Sequence, residues 1–202
     1  MSPRTPEVVA LEEQIATLKK ALSEAHRKSE PQIVADLPLR DRHGAAIRLS
    51  DCFAGRDDLL VIHNMGQRCP YCTLWADGLI GLWPHLNDRT AFVLVSEDEP
   101  EVLNAFALAR GWPFPVASMQ GSDFANALGV GYEGTHQNPG VSAFHRRSDG
   151  TIVRTGHAEF GPGDDFCAVW PMFDLLQNGA GTWQPRYSYR GSCCGGGCCE
   201  PR

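Results

Sequence analysis

The chain has no apolar run long enough to cross a bilayer, and its opening stretch, MSPRTPEVVALEEQ, passes into charge rather than into the apolar core of a signal peptide. A cytoplasmic address without a membrane partner is therefore expected. Net positive charge is also missing: 18 Lys and Arg stand against 24 Asp and Glu, a formal net charge of -6. Phosphate recognition needs a concentrated positive field, so no nucleic-acid partner is expected. Nor are the 8 cysteines spread as in a small disulfide-stapled secreted domain. Cys52 and Cys167 stand alone and read as small core residues. The others fall into two tight clusters, Cys69 with Cys72 and Cys193-Cys194 with Cys198-Cys199, a pattern that in a reducing compartment points to redox or metal chemistry.

What is present is enough chain, 202 residues with a 43% apolar fraction, for one domain with a sizeable core. Residues 1–30 form an appendage: Val8, Leu11, Ile15, Leu18 and Leu22 recur at helical spacing, predicting an amphipathic helix over 7–28. A lone helix of this length is marginal in water, so it docks either on its own domain or on a second copy, giving a homodimer through 7–28. Residues 31–190 are the main domain. It opens with a hairpin around His43-Gly44, then a buried strand over 59–62, a helix over 73–86, a strand over 91–95 and a helix over 99–110 closed by Gly111. A hairpin over 141–155 turning at Asp149-Gly150 and a helix over 165–177 complete it. Parallel units followed by a hairpin and a last helix describe an α/β fold of three layers, a mixed central sheet with helices on both faces. Residues 191–202 are too glycine-rich for a regular element and are expected to be a flexible tail.

The chemistry concentrates at Cys69-Pro70-Tyr71-Cys72. Placed where a buried strand gives way to a helix, Cys69 meets unpaired N–H groups and the positive end of the helix dipole, which favour a thiolate. That thiolate attacks a disulfide, and Cys72, one turn on, resolves the mixed disulfide. Arg68 adds positive charge, and Pro70 suits a first helical turn. The competing reading, half of a zinc site, needs a second pair or two histidines. No second pair exists before residue 191, and His63, His85, His136, His145 and His157 lack ligand spacing. Trp75, Gly78 and Gly81 read as packing positions that allow close helix–sheet contact. Asp77 is either a carboxylate that moves protons for the dithiol or an exposed helix residue.

Strand, Cys-x-x-Cys, helix, then Asn138-Pro139 leading a strand into Asp149-Gly150 resembles the thioredoxin superfamily. The resemblance implies a cis Pro139 facing the cysteines, with Asn138 or Gly140 offering backbone groups to a substrate strand. A closer match is the bacterial thioredoxin-like family of unassigned function with the hallmark Cys-Pro-x-Cys-x-x-Trp-x-Asp-Gly-x-x-Gly. Cys69, Pro70, Cys72, Trp75, Asp77, Gly78 and Gly81 fit it, and similarity extends over roughly 37–176. It implies the fold and a redox use rather than a substrate, which is expected to be a disulfide-containing protein or a low-molecular-weight thiol. Pro70-Tyr71 is also the dipeptide of many glutaredoxins, whose potentials lie near -200 to -230 mV. The entry through 37–51 is similar to that of peroxiredoxins, which raises peroxide reduction as an alternative, although the threonine that precedes their reactive cysteine is absent.

Thiol exchange requires no cofactor. The tail is another matter: Cys193, Cys194, Cys198 and Cys199, spaced by three glycines, can converge on a soft metal ion such as Cu(I) or Zn(II). The same thiols can instead form a redox arm for Cys69 and Cys72, or be incidental. The functions expected are thus thiol–disulfide oxidoreductase, soft-metal binding or sensing, and peroxide reduction.

Overall fold

The structure, a computed structural model, describes residues 4–132 and 136–189. The first helix, α1 (Pro6–Lys28), matches its expected span. Thr5 Oγ1 accepts from Val8 N to start it, Pro6 fits the first turn, and His26, Arg27 and Lys28 oppose the negative end of its dipole. None of its residues is buried. Its seam of Leu11, Ile15, Leu18 and Leu22 stays exposed, and the Lys19–Asp165 ion pair, 2.5 Å, ties it to the body. Its own domain therefore does not cover the seam.

In chain order the strands are β1 (Gln32–Val34), β2 (Pro38–Asp41), β3 (Ala46–Arg48), β4 (Asp58–Asn64), β5 (Ala91–Ser96), β6 (Val116–Ser118), β7 (Gly131–Tyr132), β8 (His136–Gln137), β9 (Gly140–Arg146) and β10 (Ile152–Glu159). The helices after α1 are α2 (Pro70–Leu79), α3 (Trp83–Arg89), α4 (Pro100–Arg110), α5 (Phe124–Ala127) and α6 (Val169–Asp174). Eight strands form one sheet in the order β1-β10-β9-β4-β5-β6-β2-β3, while β7 and β8 make a separate ribbon. The β4–β5 and β5–β6 pairs are parallel and the remaining neighbours antiparallel.

The central strands read as continuous apolar runs because both faces are covered. Leu59, Val61, Ala91, Val93 and Val95 join Phe53, Phe124 and Phe144 in one core. The alternate residues Ile62, Phe92 and Leu94 join Trp75, Leu103, Phe114 and Trp170 in the other. Leu94 is 0% exposed, and truncating such a side chain costs about 2–5 kcal/mol. The platform under the cysteines is thus held from both sides.

Two predicted helices differ. The one over 73–86 breaks into α2 and α3: Gly78 and Gly81 weaken the run, and Pro84, which has no N–H, fits the first turn of a new helix instead. A Cβ on Gly78 or Gly81 would meet nothing within 4 Å, so these glycines mark the break and do not serve close helix–sheet contact. The helix over 165–177 shrinks to α6 because Asp164 Oδ1 accepts from Phe166 N at 2.7 Å and Cys167 N at 3.0 Å, an Asx turn that competes with helix. Gly111, at φ +70°, closes α4 as expected, and β9–β10 turns at Gly150. No helix of the described residues is long and apolar enough to cross a membrane.

Candidate functional site

Strands β4 and β5 end side by side, with Asn64 opposite Ser96. Open α/β sheets place their sites at such carboxyl ends. The loop 65–68 leads from β4 to Cys69, and Glu97-Asp98 leads from β5 toward α4. Asp98 locks the two together: its Oδ2 accepts from Gln67 N at 2.7 Å and from Ser96 Oγ at 3.1 Å. Asn64 Oδ1 accepts from Gly66 N at 2.8 Å. Gly66 has φ +93°, and a Cβ there would lie 2.7 Å from Asp98 Oδ1, so only glycine fits.

Cys69 is the N-cap of α2. Its backbone is extended, and its Sγ accepts from Cys72 N at 3.1 Å. Cys69 is half-buried and Cys72 only 2% exposed. The Cys69 thiol is lowered from its ordinary 9.0 to about 7, foremost by the hydrogen bond from the Cys72 thiol, with help from the Cys72 and Tyr71 N–H groups. Burial and the charge of Glu97 oppose that shift. The same thiol–thiol bond, with burial and the Cys69 charge, pushes Cys72 far above the ordinary thiol range. The pair therefore joins a thiol that ionises near neutral pH to a buried one that keeps its proton. Arg68 is exposed beside it, and the leading favourable contributions come from Cys72 and Tyr71 rather than from its charge. Elsewhere burial raises Cys167 and pushes Cys52 up to about 12. Among the described cysteines, Cys69 alone is lowered.

The other expected site residues fare differently. Asp77 does not bond either thiol. Its Oδ1 accepts from Arg110 Nε at 3.1 Å and from Trp112 Nε1 at 2.9 Å, and its Oδ2 pairs with Arg110 Nη2. A carboxylate so occupied anchors α2 to the end of α4, and the expected proton role gives way to that one. Pro139 lies at the site's end of the sheet, just before Gly140, which pairs with His63. The bond before it is trans, since the described residues contain no cis peptide. That is the ordinary isomer for X–Pro. Asn138 N donates to Val130 O at 2.8 Å and Gly140 pairs with His63 and Glu159 inside the sheet, so the Asn138 N–H and the Gly140 backbone expected to face a substrate strand are engaged within the fold. Trp75 is buried against Phe160. Cys193, Cys194, Cys198 and Cys199 lie outside the described residues, within which no group of three or more His, Cys, Asp or Glu could hold a metal ion.

Sequence reasoning missed the acid and amide side of the site. An open cavity of about 410 Å³ beside Cys69 is walled by Arg68, Glu97, Asp98, Gln120 and His136. Glu97 accepts from Gln137 N at 2.6 Å, with His136 Nδ1 2.8 Å away, and its charge reaches both thiols. Gln137 is fully buried and clamps the ends of the parallel strands: its Nε2 donates to Asn64 O at 2.8 Å and to Val95 O at 3.0 Å. Its Oε1 lies 3.1 Å from His63 Nδ1, and His63 Nε2 lies 2.8 Å from Ser142 Oγ. Burial lowers His63 to about 3, so the ring is neutral. The acidic run just past a buried strand was a usable signal for Glu97. Nothing in the sequence singles out Gln137. A second cavity, about 430 Å³, lies among Leu60, Ile62, Phe92 and Phe160, and neither cysteine lines it.

A mixed sheet covered by helices on both faces, with a Cys-x-x-Cys pair where a central strand passes into a helix, is the thioredoxin-like fold. The chain belongs to the family described as bacterial protein of unknown function (DUF899), whose model matches residues 6–190. No curated protein matches it. Among solved structures, the peroxidoxin BcpB from Mycobacterium tuberculosis is 25% identical, with a TM-score of 0.50 over 64% of this chain and 84% of its own. A mutant of PrxQ from Xylella fastidiosa is 17% identical, with a TM-score of 0.51 over 65% of this chain and 87% of its own, a likeness of fold.

Proposed function

We propose that the protein is a thiol–disulfide oxidoreductase in which Cys69 is the nucleophile and Cys72 the resolving thiol. The observation that carries this reading is the hydrogen-bonded pair at the head of α2, one thiol lowered to about 7 and half-exposed, its partner raised and buried. The Cys69 thiolate attacks one sulfur of a substrate disulfide, the S–S bond breaks, and the leaving thiolate takes a proton. Forming the mixed disulfide removes the charge and the hydrogen-bond acceptor that held the Cys72 proton. Cys72 then ionises, and Glu97, whose charge is felt at both sulfurs, receives the proton. Cys72 attacks Cys69 Sγ and releases the second substrate thiol, leaving a Cys69–Cys72 disulfide.

The likeness to a peroxidoxin at 25% identity favours a second reading on the same residues. Here Cys69 attacks a peroxide oxygen, the O–O bond breaks to release water or an alcohol, and Cys72 condenses with the sulfenic acid to expel water. One comparison separates the two: turnover of a small disulfide against turnover of hydrogen peroxide, in the intact chain and in Cys69→Ser. Disulfide turnover lost in Cys69→Ser supports exchange. Peroxide turnover that exceeds disulfide turnover and depends on Cys69 shifts the assignment to the second reading, and activity that survives Cys69→Ser sinks both.

A further inference from the structure

The apolar side chains of α1 recur at heptad spacing in two rows, Val8, Ile15 and Leu22 in one and Leu11, Leu18 and Ala25 in the other. The seam they form faces out: its five large side chains are 40–68% exposed, and Ala25 is exposed as well. Lys19 holds Asp165 from the edge of this seam, so the helix is fastened to the body without using a seam residue. A narrow stripe of this kind is the contact surface of paired helices, in which each row packs against a row of a second helix.

The residues that border the seam decide what that second helix is. Glu7, Gln14, Ala21 and Lys28 run along one edge, and Glu12, Lys19 and His26 along the other. Acid therefore stands in the first half of each edge and base in the second. When a second copy of α1 is laid antiparallel, with Ile15 against Leu18 of the second copy, Leu11 falls against Leu22 and Val8 against Ala25, so every seam residue meets another. In that register Glu12 faces Lys19 of the second copy and Glu7 faces Lys28, each twice by symmetry, and no like charges meet. Laid parallel, Glu7 faces Glu12 of the second copy twice, and no opposite charges meet across the edges. The existing ion pairs leave room for the antiparallel contacts. A lysine ammonium has donors to spare beyond the one Asp165 takes, and Glu12 has a second oxygen beside the Oε2 that Arg4 holds.

We propose that α1 is a self-association surface, pairing antiparallel with α1 of a second copy about a two-fold axis that passes between Ala16 and Thr17. The two bodies follow from the C-terminal ends of their helices and so lie toward opposite ends of the pair.

The test is sedimentation equilibrium of the full chain in reducing buffer, at up to about 1 mM so that even a millimolar association registers. A dimer is expected. Ile15→Gln with Leu18→Gln replaces two exposed side chains by a helix-forming residue and should weaken that dimer about 100-fold or more. Glu12→Lys turns the attraction to Lys19 of the second copy into repulsion twice over and should weaken it roughly 10- to 30-fold, as should Lys19→Glu. Mixed in equal amounts, these two charge variants should form a heterodimer about as tight as the dimer of the intact chain, because each restores the other's pairs. Circular dichroism of every variant checks that the helix is kept. An intact chain that stays monomeric leaves the seam to another occupant and overturns the proposal, as does a dimer that the paired glutamine substitutions leave unchanged. A dimer tightened by Glu12→Lys, through relief of Glu7 against Glu12, makes the pairing parallel and overturns it as well. A mixture no tighter than its two components refutes the antiparallel register.

Discussion

Removing the Cys72 sulfhydryl donor is the sharpest perturbation available to this site, because that bond is the leading cause of the lowered Cys69 thiol. Cys72→Ala deletes the donor, whereas Cys72→Ser keeps one. With Cys69 at about 7, roughly half of it is thiolate at pH 7; at its ordinary 9.0 only about 1% would be. Nucleophilicity partly compensates: a Brønsted slope of about 0.4–0.5 returns roughly eightfold for a rise of two units. Exchange with a small coloured disulfide should then slow by up to about sixfold at pH 7 in Cys72→Ala and run up to about fourfold faster at pH 9, the two profiles crossing near pH 8. These are upper bounds, since the Cys72 and Tyr71 N–H donors survive the substitution. The assay is the single-turnover rate against pH, in full-length protein whose four tail cysteines are serine. Cys72→Ser should stay near the intact inflection. If Cys72→Ala and Cys72→Ser share an inflection near pH 7, the thiol–thiol bond is not what lowers Cys69.

Three further outcomes follow from the same geometry. Glu97→Gln removes a charge that raises both thiols, so the Cys69 inflection should fall while release of the second substrate thiol slows; stopped-flow separation of the two steps checks this, and an unchanged second step removes Glu97 as the proton acceptor. Asp77→Asn weakens a partly buried pair with Arg110 and a bond from Trp112, so stability should drop by about 2 kcal/mol, a loss of about 4–8 °C in Tm for a chain this size, with the pH profile of exchange unmoved. A shifted profile would return a proton role to Asp77. His63 is neutral in the fold, lowered to about 3 from 6.5, so below pH 6.5 the unfolded chain takes up a proton that the folded chain refuses. Stability from this group is present above pH 6.5 and lost as pH falls toward 3, about 2 kcal/mol by pH 5. Denaturation of His63→Gln should lack that slope between pH 7 and 5, and an equal slope in both proteins would assign it elsewhere.

The parts of the fold legible in the sequence are those whose causes are local. Continuous apolar runs marked β4 and β5, Gly111 closed α4, and the seam from Val8 to Leu22 marked α1. Where a distant contact or a competing turn decides, local reading failed. The three-residue β6 is held by β5 and β2, α6 is cut short by the Asp164 turn, and Pro84 restarts a helix that periodicity alone would continue. The site divides in the same way. Cys69 and Cys72 were legible because Cys-x-x-Cys carries its chemistry in its spacing. Gln137 was not, because an amide declares nothing until the ends of two parallel strands converge on it.

That amide explains why the site is rigid where it must be and open where it must react. A Cys69 held at the N-cap of α2 keeps its lowered thiol only if the helix stays in register with the end of β4, and no covalent link enforces that register. Gln137 spans Asn64 O and Val95 O, Asn64 Oδ1 holds Gly66 N, and Asn64 Nδ2 lies within 3.4 Å of Cys72 O. Each of these groups is buried, where an unmade hydrogen bond costs about 1–3 kcal/mol, so displacing one of them strands the others. His63 adds to the constraint by staying neutral, because a protonated ring has no acceptor nitrogen left for a hydroxyl donor from Ser142. The polar groups of this network are therefore satisfied in one arrangement, and the freedom is left to the cavity beside Cys69, where the proposed substrate would enter.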